Sequence, residues 1–173
     1  MSNLRLIDET SGTSVSSISV SNVFSEDFDI YKVIIKNVDS TAEDYTHMRF
    51  INSSGSIVTS SNYNYASAFL RSYNTFTEFK STSDVKFQRF GVQDTGAEDG
   101  GSTIAYIFNP YSNTSYSFFV NQHSGQGSLG QIGLKGIGVL KQTASMTGFC
   151  VYPNSGTLDN ITLRTYGLRV DNG

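Results

Sequence analysis

Alternation with a period of two residues recurs along this chain in short blocks bounded by Gly, Ser, Asn and Asp, and no long block carries helical spacing with caps at both ends. Residues two apart in a strand share a face, so such blocks read as half-buried β-strands. In 29–38 (DIYKVIIKNV), Tyr31, Val33 and Ile35 fall on one face, and Lys32, Ile34 and Lys36 on the other. In YTHMRFI, Thr46, Met48 and Phe50 share one face against Tyr45, His47, Arg49 and Ile51. The turn composition Asn52-Ser53-Ser54-Gly55 follows, where Gly55 can take a positive φ.

Residues 62–79 are rich in aromatic side chains, and although Ala66–Arg71 has the makings of a helical turn, the β-branched and aromatic content favours strands. DTGAEDGGS (94–102) reads as a loop between KFQRFGV and the apolar strand TIAYIFN, which Pro110 ends. Tyr116, Phe118 and Val120 alternate with Ser115, Ser117 and Phe119, and a Gly-rich stretch over 125–138 reads as a loop. MTGFCVY and NITLRTYGLRV close the chain. About ten strands and no helix are expected.

Ten short strands with turn signals between them predict an all-β fold, an antiparallel two-sheet sandwich of jelly-roll type, because pairing two half-apolar sheets buries both inner faces. A barrel is the alternative. Residues 25–170 are expected to form one sandwich domain. The Ser/Thr-rich residues 1–24 are expected to form an edge strand, or an arm that orders on a neighbouring subunit.

Composition narrows the function. Charged residues are 16% of the chain and the net charge is -3, which removes the positive footprint that nucleic-acid binding relies on. No segment approaches the length of an apolar membrane span, and the opening MSNLRLIDETSG has no basic or apolar leader pattern. Synthesis in the cytosol, or release by a route that needs no signal peptide, is the expectation. One cysteine, Cys150, reads as a small core hydrophobe.

Catalysis needs groups whose protonation or nucleophilicity can be tuned, and two His, one Cys and carboxylates placed mostly in turns are a thin supply. His47 is expected on the polar face of a strand beside Arg49, and His123 in a solvated loop. Neither pairs at metal-ligand spacing, so no catalytic residue, metal site or cofactor is expected. Gly125-Gln126-Gly127-Ser128-Leu129-Gly130 matches G-x-G-x-x-G in letters, but no βαβ unit surrounds it, and Gln126 stands where a nucleophile elbow needs Gly. Asp94, Glu98 and Asp99 gather oxygen ligands of the kind Ca²⁺ uses, without EF-hand spacing.

Tyr63, Tyr65, Phe69, Tyr73, Phe76 and Phe79 form the densest aromatic run, and Tyr beside Asn is the composition of a recognition surface as well as of a core edge. The first four are the candidate interface or ligand surface. The absence of Trp weakens a sugar-stacking reading against one of core plus subunit contact. N-x-[ST] strings at Asn52, Asn113 and Asn160 read as chance matches in an Asn/Ser/Thr-rich chain.

Three segments, FDIYKVIIKNV (28–38), GGSTIAYIFNPY (100–111) and TGFCVYPNSGTLDNITLRTYGLR (147–169), together resemble small virion proteins of tailed bacteriophages, notably those of marine bacteria and cyanobacteria. The resemblance implies a β-sandwich virion component, such as a tail fibre, a tail-associated protein or a capsid decoration, with no enzymatic residues to carry over. Residues 60–95 depart most from it, and there partner specificity would reside. A phage protein without disulfides gains stability by assembly, so a homo-oligomer is expected, a trimer or another ring, in contact with other virion proteins. A carbohydrate-binding module that recognises host-surface glycans is the competing reading, and a hydrolase has least support.

Overall fold

The computed structural model describes residues 3–93, 95 and 101–169. Among these residues there is no helix, and twelve strands build two antiparallel sheets. The larger sheet has eight strands in the order β1 (Leu4–Gly12), β12 (Leu158–Leu168), β3 (Ile30–Ser40), β8 (Gly101–Phe108), β9 (Ser117–Gly127), β10 (Gly130–Leu140), β5 (Tyr63–Arg71) and β6 (Thr77–Asp84). The smaller has four, in the order β2 (Ile18–Val20), β11 (Met146–Pro153), β4 (Asp44–Asn52) and β7 (Phe87–Gln93).

The two orders are related. β1, β12, β3 and β8 are neighbours in the large sheet, and the strands joined to them in sequence, β2, β11, β4 and β7, are neighbours in the same order in the small one. Two hydrogen-bonded ribbons, β1 with β12 and β3 with β8, therefore lie side by side and cross together into β2 with β11 and β4 with β7 of the other sheet, which is the jelly-roll arrangement. β9, β10, β5 and β6 extend the large sheet beyond the small one.

Alternation drives the packing. Tyr31, Val33 and Ile35 of β3 and Met48 and Phe50 of β4 are buried, facing one another across the sandwich with Phe24, Phe87, Phe149 and Leu163. Aromatic rings meet edge-on within this core, Phe87 lying 4.3 Å from Phe119 and 4.7 Å from Tyr63 between centroids. A second cluster, Phe69, Val92, Ile132 and Leu134 with Tyr45 and Phe79 against it, fills the space under the extension. The Tyr63 hydroxyl donates to the Val58 carbonyl at 2.9 Å and accepts the Phe50 amide at 3.1 Å, so a buried polar atom staples two segments together.

One expectation is corrected here. The Gly-rich 125–138 stretch is mostly strand, the end of β9 and most of β10, joined by a tight turn after which Gly130 opens β10 with φ 142. Residues 66–71 belong to β5, as their β-branched and aromatic surroundings favour over a helical turn. Within 1–24, β1 pairs with β12 from Leu4↔Leu168 to Gly12↔Ile161, and β2 pairs with β11, so both segments complete sheets of their own chain. Asp94, Glu98 and Asp99 lie outside the described residues.

Candidate contact surfaces

Of the four candidate residues from the aromatic run, Tyr63 and Phe69 are core. Tyr65 is half-buried, its hydroxyl 3.4 Å from Asp84 Oδ2, and Tyr73 is exposed. Tyr73 stands in the β5–β6 turn, where Phe76 is 71% exposed, and the adjoining β9–β10 turn carries Leu129, 73% exposed. Hydrogen bonds from the Ser72 amide to the Gln131 carbonyl and from the Gln131 amide to Ser72 Oγ tie the two turns together.

The larger free surface is one the sequence reading did not select. In β8 and β9 the residues that point inward are Thr103, Ala105 and Ile107, and Ser117, Phe119, Asn121 and His123. Those that point outward are Ile104, Tyr106 and Phe108, and Phe118 and Val120. Register sets them in rows across the sheet: Ile30, Phe108, Phe118 and Val139 in one, and Lys32, Tyr106, Val120 and Ile137 in the next. Ile104 and Phe118 are each 44% exposed, Val120 39% and Ile137 58%. The outer face of this sheet is thus apolar across three adjacent strands, and such a patch marks a contact surface when it is contiguous.

Relief accompanies the chemistry. Ile137 borders three shallow hollows. One of about 570 Å³ is lined by Phe108, Phe118, Val120, Val139 and part of β5 and β6. A second of about 280 Å³ lies between Ile104, Tyr106, Val120 and Lys135. The third, about 350 Å³, lies toward β6 beside Ala66, Ala68, Glu78 and Lys80. Cations flank the patch, and Lys32 Nζ sits 6.0 Å above the Tyr106 ring.

Both histidines are buried, which corrects their expected placement. His47 Nε2 lies 3.0 Å from Asn154 Oδ1, so it carries the proton, and Nδ1 accepts the Arg89 amide at 3.3 Å. Asn154 Nδ2 and Ser155 Oγ both donate to Asp44 Oδ2, at 2.9 and 2.6 Å. Burial works against the Asp44 carboxylate, but hydrogen bonds from Ser155, Asn154 and the Tyr45 amide outweigh it and hold its pKa below the ordinary value. Burial pushes His47 down to about 4. This chain of groups links β4 to the Arg89 amide of β7 and to Asn154 and Ser155, and so braces β4 against the β11–β12 turn.

His123 points into the sandwich, where Thr103 Oγ1 lies 2.9 Å from its Nδ1. Its ring occupies space that side chains at Gly101 and Gly125 would take, since a Cβ at either would come within 3.0 Å of the ring. Desolvation lowers its pKa to about 4. Nearby, Asn121 Nδ2 donates to the Phe90 carbonyl at 2.7 Å and links β9 to β7. Among the described residues no group of three or more His, Cys, Asp and Glu side chains gathers to hold a metal.

A smaller hollow of about 320 Å³ differs in character. Ser25, Glu26, Asp29, Asn109 and Asn113 give it a polar lining, with Tyr111 at its side.

No protein-family model matches the chain, and no curated protein matches it. Among solved structures it is similar to congerin II bound to lactose and MES, with a TM-score of 0.31 and 11% identity over 91% of this chain and 99% of that one. It is similar to a disulfide-linked pilus from Bacillus endospore appendages, with a TM-score of 0.24 and 12% identity over 96% and 91%. It is similar, too, to Ail, the attachment invasion locus protein of Yersinia pestis, with a TM-score of 0.19 and 9% identity over 71% and 99%. Likenesses this weak carry no argument about what the chain does.

Proposed function

We propose that this chain is a structural component of a tailed-phage particle, made in the host cytoplasm, that works by joining surfaces and catalyses no reaction. The observation that carries the contact reading is the apolar outer face of β8, β9 and β10, where Ile104, Phe118, Val120 and Ile137 are exposed on a regular, hydrogen-bonded sheet. A rigid sheet holds such side chains in place, so little ordering entropy opposes contact. The histidines support the non-enzymatic side of the reading, because both are buried and hydrogen-bonded into the sandwich. The virion assignment rests on the resemblance of residues 28–38, 100–111 and 147–169 to phage virion proteins. Electron microscopy of particles labelled with an antibody to this chain tests it: decoration at a regular position on head or tail supports the assignment, and particles free of the chain overturn it.

A second reading, recognition of a host-surface glycan, is favoured by the polar hollow beside Tyr111. An aromatic face next to Asn and carboxylate side chains is the chemistry that holds a saccharide. Glycan-array binding lost in Tyr111→Ala would move the assignment there. Tyr63, buried in the core, is not available to stack on a sugar.

A further inference from the structure

We propose that the occupant of the apolar face is a second copy of this chain, packed sheet on sheet with strand β9 of each copy on the two-fold axis. The proposal rests on the contact reading above and names its partner. Three features of the face argue for it.

The first is charge. One row across the sheet runs Arg164, Ile34, Ile104, Gln122, Lys135, Ala68, Glu78, set by the registers of β12, β3, β8, β9, β10, β5 and β6. A two-fold axis along β9 lays this row on its own reverse. Gln122 then meets Gln122, the aliphatic stem of Lys135 covers Ile104, and Arg164 meets Glu78. Cation and anion sit three strands either side of β9, so the face is complementary to itself at its rim. Arg164 already contacts Glu9 through Nε at 2.7 Å and also hydrogen-bonds Tyr166, and a guanidinium with five N–H donors still has some to offer a second carboxylate.

The second is shape. About the same axis Val120 meets Val120, and Ile137 falls opposite Tyr106. Ile137 is the most exposed apolar side chain of the patch, and beside Tyr106 lies the hollow bounded by Ile104, Val120 and Lys135. Each copy presents a knob where the other presents a hollow, which an isologous contact requires.

The third is area. Taking strands about 4.8 Å apart and same-face residues about 6.8 Å apart, three rows over the five strands from β3 to β5 cover about 500 Å² per copy, or about 1,000 Å² for the pair. That reaches the level at which a specific interface becomes tenable. A two-fold contact closes at two copies, so a trimer or larger ring would need a second, different surface.

Light scattering on the purified full-length chain at micromolar concentration tests the pairing. The expected result is twice the 18.9 kDa of one chain, reduced to a single chain by Ile137→Lys or Val120→Glu with the melting temperature of the fold retained. Glu78→Lys and Arg164→Glu should each weaken association about tenfold, and the double exchange should recover most of that loss. A chain that stays monomeric overturns the pairing, as does a dimer indifferent to Ile137→Lys and Val120→Glu. Neither result touches the virion assignment, which stands or falls on particle labelling.

Discussion

The backbone amide of Arg89 donates to Nδ1 of His47, 3.3 Å away, and holds Arg89 in a left-handed conformation with φ 55. The side chain then reaches across the sandwich, its guanidinium 3.2 Å from the Phe79 ring centroid and 4.5 Å from that of Tyr45. Phe79 belongs to β6 and Tyr45 to β4, so one arginine ties the overhanging edge of the large sheet to the small sheet. Strain at φ and cation–π attraction oppose each other at this position. Arg89→Ala keeps the strain and loses the attraction, whereas Arg89→Gly loses both. The glycine variant should therefore be the more stable of the two by about 1 kcal/mol, read from urea midpoints. Equal midpoints would show that φ carries no cost there.

Acid should loosen the fold through both histidines. Each has an ordinary pKa of 6.5 that burial lowers to about 4. Above 6.5 folded and unfolded chains are both neutral at these rings, and the contribution to stability is fully present. Between 6.5 and 4 only the unfolded chain takes up the protons, so stability falls with pH, on the order of 3 kcal/mol per histidine by pH 4. Asp44, whose pKa is lowered, adds a further loss as pH falls through its folded value. Melting temperature measured from pH 7 to pH 4 should drop, and His47→Gln should flatten the slope. A flat profile in the parent chain would contradict the burial of both rings.

Tyr63→Phe removes the hydroxyl that serves both the Val58 carbonyl and the Phe50 amide and leaves both buried groups unpaired. A cost of about 1–3 kcal/mol is expected. Association should be unchanged, since the ring lies inside the sandwich. A variant as stable as the parent would place water at those groups.

Gly138 lies in β10 beneath the contact face, where a Cβ would stand 2.0 Å from Phe119 Cε1 and 2.7 Å from Phe87 Cε1. Gly138→Ala should overpack this aromatic junction and cost about 1–3 kcal/mol by thermal or urea unfolding. No loss would mean that the Phe87–Phe119 pair shifts freely.

These positions show what the sequence discloses and what it conceals. Alternation placed Tyr31, Val33 and Ile35 on one face of β3 and Met48 and Phe50 on one face of β4, and those faces are the inner ones, because only one parity of each strand is strongly apolar. In β8 both parities are apolar. Thr103, Ala105 and Ile107 point in while Ile104, Tyr106 and Phe108 point out, and no local rule ranks the two sets. β9 goes further, burying Asn121 and His123 and exposing Phe118 and Val120, since Phe90 and Thr103 offer hydrogen bonds inside. The β10 glycines hide their strand for a different reason. Gly136 and Gly138 carry no side chain to alternate, and only the crowding of Asn121 and Phe119 above them explains their absence. The signal for the contact face was present as a strand apolar on both sides, TIAYIF, which a domain with one core does not need.

Cross-linking at the axis tests the central claim most directly. In a Cys150→Ser background, a cysteine introduced as Val120→Cys and treated with a short bismaleimide should give a covalent dimer in high yield, while the same cysteine introduced as Ser19→Cys, on the small sheet, should stay monomeric. A chain that reacts at both sites equally, or at neither, would contradict a contact centred on the outer face of β9.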